Sequence, residues 1–137
     1  MPLKKRRILC AETHEDTCSL LSLILERQGH EVKKGNSMQE CLELARTEHF
    51  DLYLLDDGYP DGSGIELCRR LRALDRQTPI LFFSSAAFER DIRRGLEAGA
   101  QAYLTKPGDI LQVAETIKSL LKPYSSDATF TDLDHSR

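Results

Sequence analysis

The sequence predicts an α/β fold, a five-stranded parallel sheet with helices on both faces. Three observations predict it. Short β-rich runs alternate five times with segments of helical period. The run Leu52-Tyr53-Leu54-Leu55 lacks period-two alternation, as expected of a strand covered on both faces. Four runs also end in a polar residue: Glu12 after Ala11, Asp56 after Leu55, Ser84 after Phe83 and Lys106 after Thr105. That places the four residues at the carboxyl edge of the sheet, where open α/β folds bind ligands.

The elements follow in order. Arg7–Ala11 is the first strand. A helix over 16–28 stops at Gly29, the residue type that favours a helix C-terminus. The second strand, 30–34, is weak and polar, which suits a sheet edge. Ser37 and Glu40 read as a capping box for a helix with Met38, Cys41, Leu42 and Ala45 on one face. The third strand, 52–56, breaks into Asp57-Gly58-Tyr59-Pro60-Asp61-Gly62. Ser63 and Glu66 repeat the box ahead of Leu67, Leu71 and Leu74. Pro79 opens the fourth strand, Ile80–Ser84, and a helix over 89–98 stops at Gly99. Ala102–Thr105 is the fifth strand. Asp109 is expected to cap a last helix with Ile110, Val113, Ala114, Ile117 and Leu121 on one face. The folded domain is expected over 1–122. The polar residues 123–137 are expected to be a mobile tail, with little apolar surface to pack.

The 137 residues suffice for one domain with a real core. A formal charge of −3 argues against a broad nucleic-acid or membrane surface. The Lys4-Lys5-Arg6-Arg7 run reads as a solvated lead-in. Cys10, Cys18, Cys41 and Cys68 have no metal-site spacing and suit small buried thiols. His14, His30, His49 and His135 read as surface or structural residues. No apolar run is long enough to span a bilayer, and no signal peptide is evident, so a cytoplasmic protein is expected.

An aspartate at a strand end can accept a phosphoryl group as an acyl phosphate. That attack joins two anions, so it needs cations. Mg²⁺ suits carboxylate and phosphate oxygens. Glu12 offers a second carboxylate, Lys106 an ammonium for a phosphoryl oxygen, and Ser84 a hydroxyl. Catalysis with such parts is mostly positioning and charge stabilisation.

At this point the chain resembles a known family. The segments are Leu54-Leu55-Asp56 with Pro60-Asp61-Gly62-Ser63-Gly64, then Thr78-Pro79-Ile80-Leu81-Phe82-Phe83-Ser84-Ser85, Gly95-Leu96-Glu97-Ala98-Gly99-Ala100 and Tyr103-Leu104-Thr105-Lys106-Pro107. In this order they resemble response-regulator receiver domains of two-component signalling. The resemblance implies a flavodoxin-like sheet of order 2-1-3-4-5. It implies Asp56 as phosphoacceptor, and Glu12, Asp56 and the Gly58 carbonyl as Mg²⁺ ligands. Ser84 and Lys106 would bind the phosphoryl group, with Tyr103 as the switch aromatic. A cis Lys106–Pro107 bond is implied as well.

The first strand departs from the family. Receivers usually carry two adjacent acids there, and this chain has Glu12-Thr13. Thr13 is a poorer Mg²⁺ ligand than a carboxylate, so weakened metal binding is expected. Gly58 and Ala86 are small, so water should reach an aspartyl phosphate readily and shorten its life. The expected function is a single-domain receiver that takes a phosphoryl group on Asp56 from a histidine kinase or phosphotransfer protein. It would signal to a downstream protein through the fourth helix, fifth strand and fifth helix, with no separate substrate turnover. The alternative is a receiver-like interaction module independent of phosphorylation. A related hydrolase would need a second acid where Gly58 stands, and a flavin protein would need a phosphate loop that the first β-α turn lacks.

Overall fold

In the computed structural model, which describes residues 5–121, the elements run β1 (Arg7–Ala11), α1 (Glu15–Arg27), β2 (Glu31–Lys34), α2 (Met38–Thr47), β3 (Leu52–Leu55), β4 (Gly58–Tyr59), β5 (Gly62–Ser63), α3 (Gly64–Leu74), β6 (Ile80–Ser84), α4 (Glu89–Glu97), β7 (Ala102–Thr105) and α5 (Ile110–Leu121). The expected tail, 123–137, lies outside the described residues. The main sheet is parallel throughout, in the order β2-β1-β3-β6-β7. Numbering its five strands alone gives the expected 2-1-3-4-5.

Strand alternation divides the core in two. Leu9, Ala11, Tyr53, Leu55, Ile80 and Phe82 face α2 and α3, which bring Met38, Cys41, Leu42, Leu67, Cys68 and Leu71. Ile8, Cys10, Leu52, Leu54, Leu81 and Phe83 face α1 and α5, which bring Cys18, Leu21, Leu25, Val113 and Ile117. Each central strand is buried on both faces, so no polar residue interrupts it until its carboxyl end. The edge strand β2 is mostly exposed, and its Lys and Glu side chains accept that position. Burial in α4 is thin, with Gly95 its only buried residue.

The caps show how local sequence sets the boundaries. Ser37 Oγ accepts the Glu40 N–H at 3.0 Å, and Ser63 Oγ accepts that of Glu66 at 3.0 Å. Neither box closes fully. The Glu40 carboxylate takes the Asn36 N–H, and the Glu66 carboxylate takes Arg70. Asp109 does not cap as expected. Its Oδ2 turns back to accept the Thr105 N–H at 2.9 Å and the Thr105 hydroxyl at 3.1 Å, fixing the end of β7. Gly29 and Gly99 take positive φ of 92° and 122° past the helix ends, as their residue type allows.

The turn after β3 is more ordered than the sequence suggests. β4 and β5 pair antiparallel, Gly58 with Ser63 and Tyr59 with Gly62. Asp61, at the tip, accepts the Met38 and Gln39 N–H groups at 2.8 and 2.9 Å. This acid thereby satisfies free donors in the first turn of α2.

Candidate functional site

The carboxyl ends of β1, β3, β6 and β7 bring Glu12, Asp56, Ser84 and Lys106 to one edge, as the sequence predicts. Glu12 and Asp56 are only 3% and 1% exposed. Lys106 Nζ bridges them, 2.9 Å from Asp56 Oδ1 and 2.9 Å from Glu12 Oε1. Asp56 Oδ1 also accepts the Asp57 N–H at 2.7 Å. The Lys106–Pro107 bond is cis.

Two buried carboxylates share one ammonium, so their protons are linked. Burial opposes the charged form of Asp56, yet hydrogen bonds from Asp57, Lys106 and Glu12 outweigh it and hold its carboxyl below the ordinary value. Glu12 moves the other way. Burial raises it, against the opposing hydrogen bonds from His14 and Lys106. Burial disfavours the Lys106 charge, but its bonds to Asp56 and Glu12 prevail and raise it. The result is an ionised Asp56 held beside a firmly charged lysine.

Thr13 stands where a second acid is usual in the family, and its hydroxyl donates to Asp56 Oδ2 at 2.9 Å. Ser84 is fully buried, and its Oγ accepts the Ala86 N–H at 3.0 Å. The Tyr103 hydroxyl donates to the Ala86 carbonyl at 2.6 Å, and its ring stacks on Phe82 with centroids 5.2 Å apart. Ser84 and Tyr103 therefore hold the two faces of one residue. Gly58 lies exposed in β4, where an added Cβ would meet nothing within 4 Å.

Three residues here escaped the sequence reading. His14 is exposed, as expected of a surface residue, but it is not remote from the site. Its backbone N–H and its Nδ1 lie 2.9 and 3.0 Å from Glu12 Oε2. Tyr59 buttresses the acceptor strand, its hydroxyl accepting the Asp56 N–H and donating to the Ala11 carbonyl, both at 2.8 Å. Gly64 opens α3 against the Asp56 carbonyl and the Phe82 ring, leaving no room for a Cβ. The glycine in Ser63-Gly64 was a visible signal. Nothing in the sequence marked Tyr59 or His14.

The fold and site define a doubly wound α/β protein with a lysine-bridged pair of acids at its sheet edge. A family model for the response regulator receiver domain matches residues 8–118, and the chain belongs to that family. Phosphoryl acceptance is the family's general function, within two-component systems of histidine kinases and downstream effectors. The chain is 37% identical over 117 residues to the alkaline phosphatase synthesis transcriptional regulatory protein PhoP of Bacillus subtilis, a match covering 85% of this chain and 49% of that protein. It is 32% identical over 120 residues to the transcriptional regulatory protein CreB of Escherichia coli, covering 88% and 52%. The chain thus spans about half the length of the curated relatives it matches. A CheY-like response regulator receiver domain protein from Methanospirillum hungatei superposes with a TM-score of 0.82 at 29% identity, over 87% of this chain and 95% of that one.

Receiver domains generally bind Mg²⁺ through acidic residues. The buried pair Glu12 and Asp56 fits a hard cation that takes one or two carboxylates with phosphate and water. Among the described residues, no helix is long and apolar enough to cross a membrane.

Proposed function

We propose that this chain accepts a phosphoryl group on Asp56 from a histidine kinase or phosphotransfer protein. The observation that carries the reading is the contact of Asp56 Oδ1 with Lys106 Nζ at 2.9 Å, at the end of a buried central strand. In the step, an Asp56 oxygen bonds to phosphorus while the bond from phosphorus to the donor's histidine nitrogen breaks. The nitrogen keeps that electron pair. Lys106, already placed between two acids, neutralises a phosphoryl oxygen. Glu12, Asp56 and the Gly58 carbonyl would hold Mg²⁺, which supplies further charge neutralisation when bound. Thr13 weakens that site because it brings a neutral hydroxyl in place of a third carboxylate.

The output follows from the shared residue Ala86. When Ser84 Oγ turns to a phosphoryl oxygen, it releases the Ala86 N–H. The Ala86 carbonyl bonded to Tyr103 then moves with that peptide segment. Tyr103 leaves its place over Phe82, and the face built by α4, β7 and α5 is remodelled for a downstream protein. Contacts made in only one state drive the shift.

The test is incubation with acetyl phosphate and Mg²⁺, read by intact mass. One added phosphoryl group is expected, absent in Asp56→Asn and abolished by chelator. A second reading, an interaction module independent of phosphate, is favoured by the Thr13 hydroxyl occupying Asp56 Oδ2. No phosphoryl gain from acetyl phosphate or from a phosphorylated phosphotransfer domain would select it.

A further inference from the structure

The pairing of β1 with β3 stops just before the two acids that these strands carry. Its register runs from Ile8 with Leu52 to Ala11 with Leu55. The next link is made by a side chain. The Asp56 N–H donates to the Tyr59 hydroxyl, and that hydroxyl donates to the Ala11 carbonyl, both at 2.8 Å. Ala11 and Asp56 are buried, so neither backbone group has solvent to turn to. Glu12 follows Ala11 directly, so each acid stands at one end of this link. Tyr59 is itself held. Its backbone pairs with Gly62 in the β4–β5 hairpin, whose tip residue Asp61 is fixed by the Met38 and Gln39 N–H groups. Burial pushes its phenol well above the ordinary value, so the proton stays in place to meet the Ala11 carbonyl.

Given the phosphoacceptor reading, on which this rests, we propose that Tyr59 is a positioning residue for phosphoryl transfer. Its hydroxyl, inserted between β1 and β3, sets the gap between Glu12 and Asp56 and holds Asp56 where its oxygen can attack. Two 2.8 Å bonds meeting at a roughly tetrahedral oxygen hold the Asp56 nitrogen and the Ala11 oxygen about 4.6 Å apart, against about 2.9 Å for a direct bond. Tyr59→Phe keeps the ring and removes that oxygen. Two buried backbone groups are then unpaired, and they recover a bond by closing on each other. Closure moves the strand ends together by about 1–2 Å. It carries Asp56 towards Glu12 and off the point where Lys106 Nζ stands 2.9 Å from each acid. An error of about 1 Å at a reacting group costs up to about a hundredfold in rate. The same phenol closes the chain from Asp56 to Tyr59 on itself, which places Gly58 inside a closed loop.

The test measures the rate of phosphoryl gain from acetyl phosphate and from phosphoramidate, by intact mass at saturating Mg²⁺. Tyr59→Phe is expected to react about 10–100 times more slowly than the wild type with both donors. Ile80→Val trims a buried side chain at the far end of β6 and controls for lost stability. Its rate should stay within about twofold of the wild type, since the site is distant. Replacing Tyr59 with 4-aminophenylalanine restores a group that both donates and accepts, and should return the rate to within about fivefold of the wild type. Ring packing alone predicts no such recovery, because phenylalanine already fills that space. A Tyr59→Phe protein as fast as the wild type would overturn the proposal. So would Ile80→Val slowed as much as Tyr59→Phe, or an aminophenylalanine protein more than about tenfold slower than the wild type, whether or not Tyr59→Phe folds. Phosphoryl gain in the wild type with no effect of Tyr59→Phe defeats this proposal alone. No gain in the wild type from either donor defeats the phosphoacceptor reading, and the proposal with it.

Discussion

Lys106→Met should expose how much the site leans on one charge. In the wild type, one ammonium at 2.9 Å from each acid offsets two carboxylates that are 3% and 1% exposed. Lys106 itself is 11% exposed, so solvent screens the contacts little. Removing one partner of a buried ion pair costs about 3–5 kcal/mol, because the remaining charge stays desolvated. Here two like charges remain, and the substitution in metal-free buffer should cost about that much. Asp56→Asn in the same chain then removes one of the two. The double variant should recover about 1–3 kcal/mol relative to Lys106→Met, the usual size of coupling between residues in contact. Urea unfolding followed by circular dichroism, with chelator present, measures both changes from the midpoint and slope. A Lys106→Met protein within about 0.5 kcal/mol of wild type would refute the reasoning, since that is the scale of a neutral surface substitution. So would a double variant no more stable than Lys106→Met.

Two other substitutions test the frame around the site. Gly64→Ala places a methyl against the Asp56 carbonyl and 2.9 Å from Phe82 Cε1, both held by the core. A loss of about 1–3 kcal/mol in urea unfolding is expected, with slower phosphorylation because Asp56 must shift; unchanged stability would show that α3 yields freely. Asp75 closes α3, and its carboxylate accepts from the Gln77 N–H at 2.9 Å and the Thr78 N–H at 3.0 Å. Burial raises its pKa, but the Thr78 and Gln77 hydrogen bonds outweigh it and leave the group below its usual 3.8. Between the two values the unfolded chain binds more protons, so this stabilisation is present above about pH 4 and is lost as pH falls through the lower value. Asp75→Ala should therefore narrow the gap to wild type on acidification below pH 4, seen in urea midpoints across a pH series. A constant gap would mean that Asp75 acts through its shape rather than its charge.

Much of this protein is determined by the sequence acting locally. Strands such as Leu52–Leu55 and Ile80–Ser84 carry apolar side chains to both faces, which demands helices on both sides. Short-range patterns such as Ser37 with the Glu40 N–H fix helix starts without reference to the rest of the chain. Asp56, Ser84 and Lys106 were legible for the same reason. Each stands at the carboxyl end of a β-rich run, so strand direction alone sends them to one edge.

The tertiary structure decided what depends on side-chain direction between distant segments. Asp109 looked like a cap, but the end of β7 offered its Thr105 donors, and the carboxylate turned to them. Tyr59 joins Asp56 to Ala11, which lies 48 residues before Tyr59 in sequence. No local pattern encodes that bridge. His14 looked like a surface histidine, and its exposure agrees. Its Nδ1 nonetheless meets Glu12, because the chain after β1 folds back when the His14 N–H bonds to the same carboxylate. Sequence period sets which face a residue takes, since that follows from backbone geometry. Which buried donor meets which acceptor is settled only when separate elements pack, because each choice depends on the partners the others leave free.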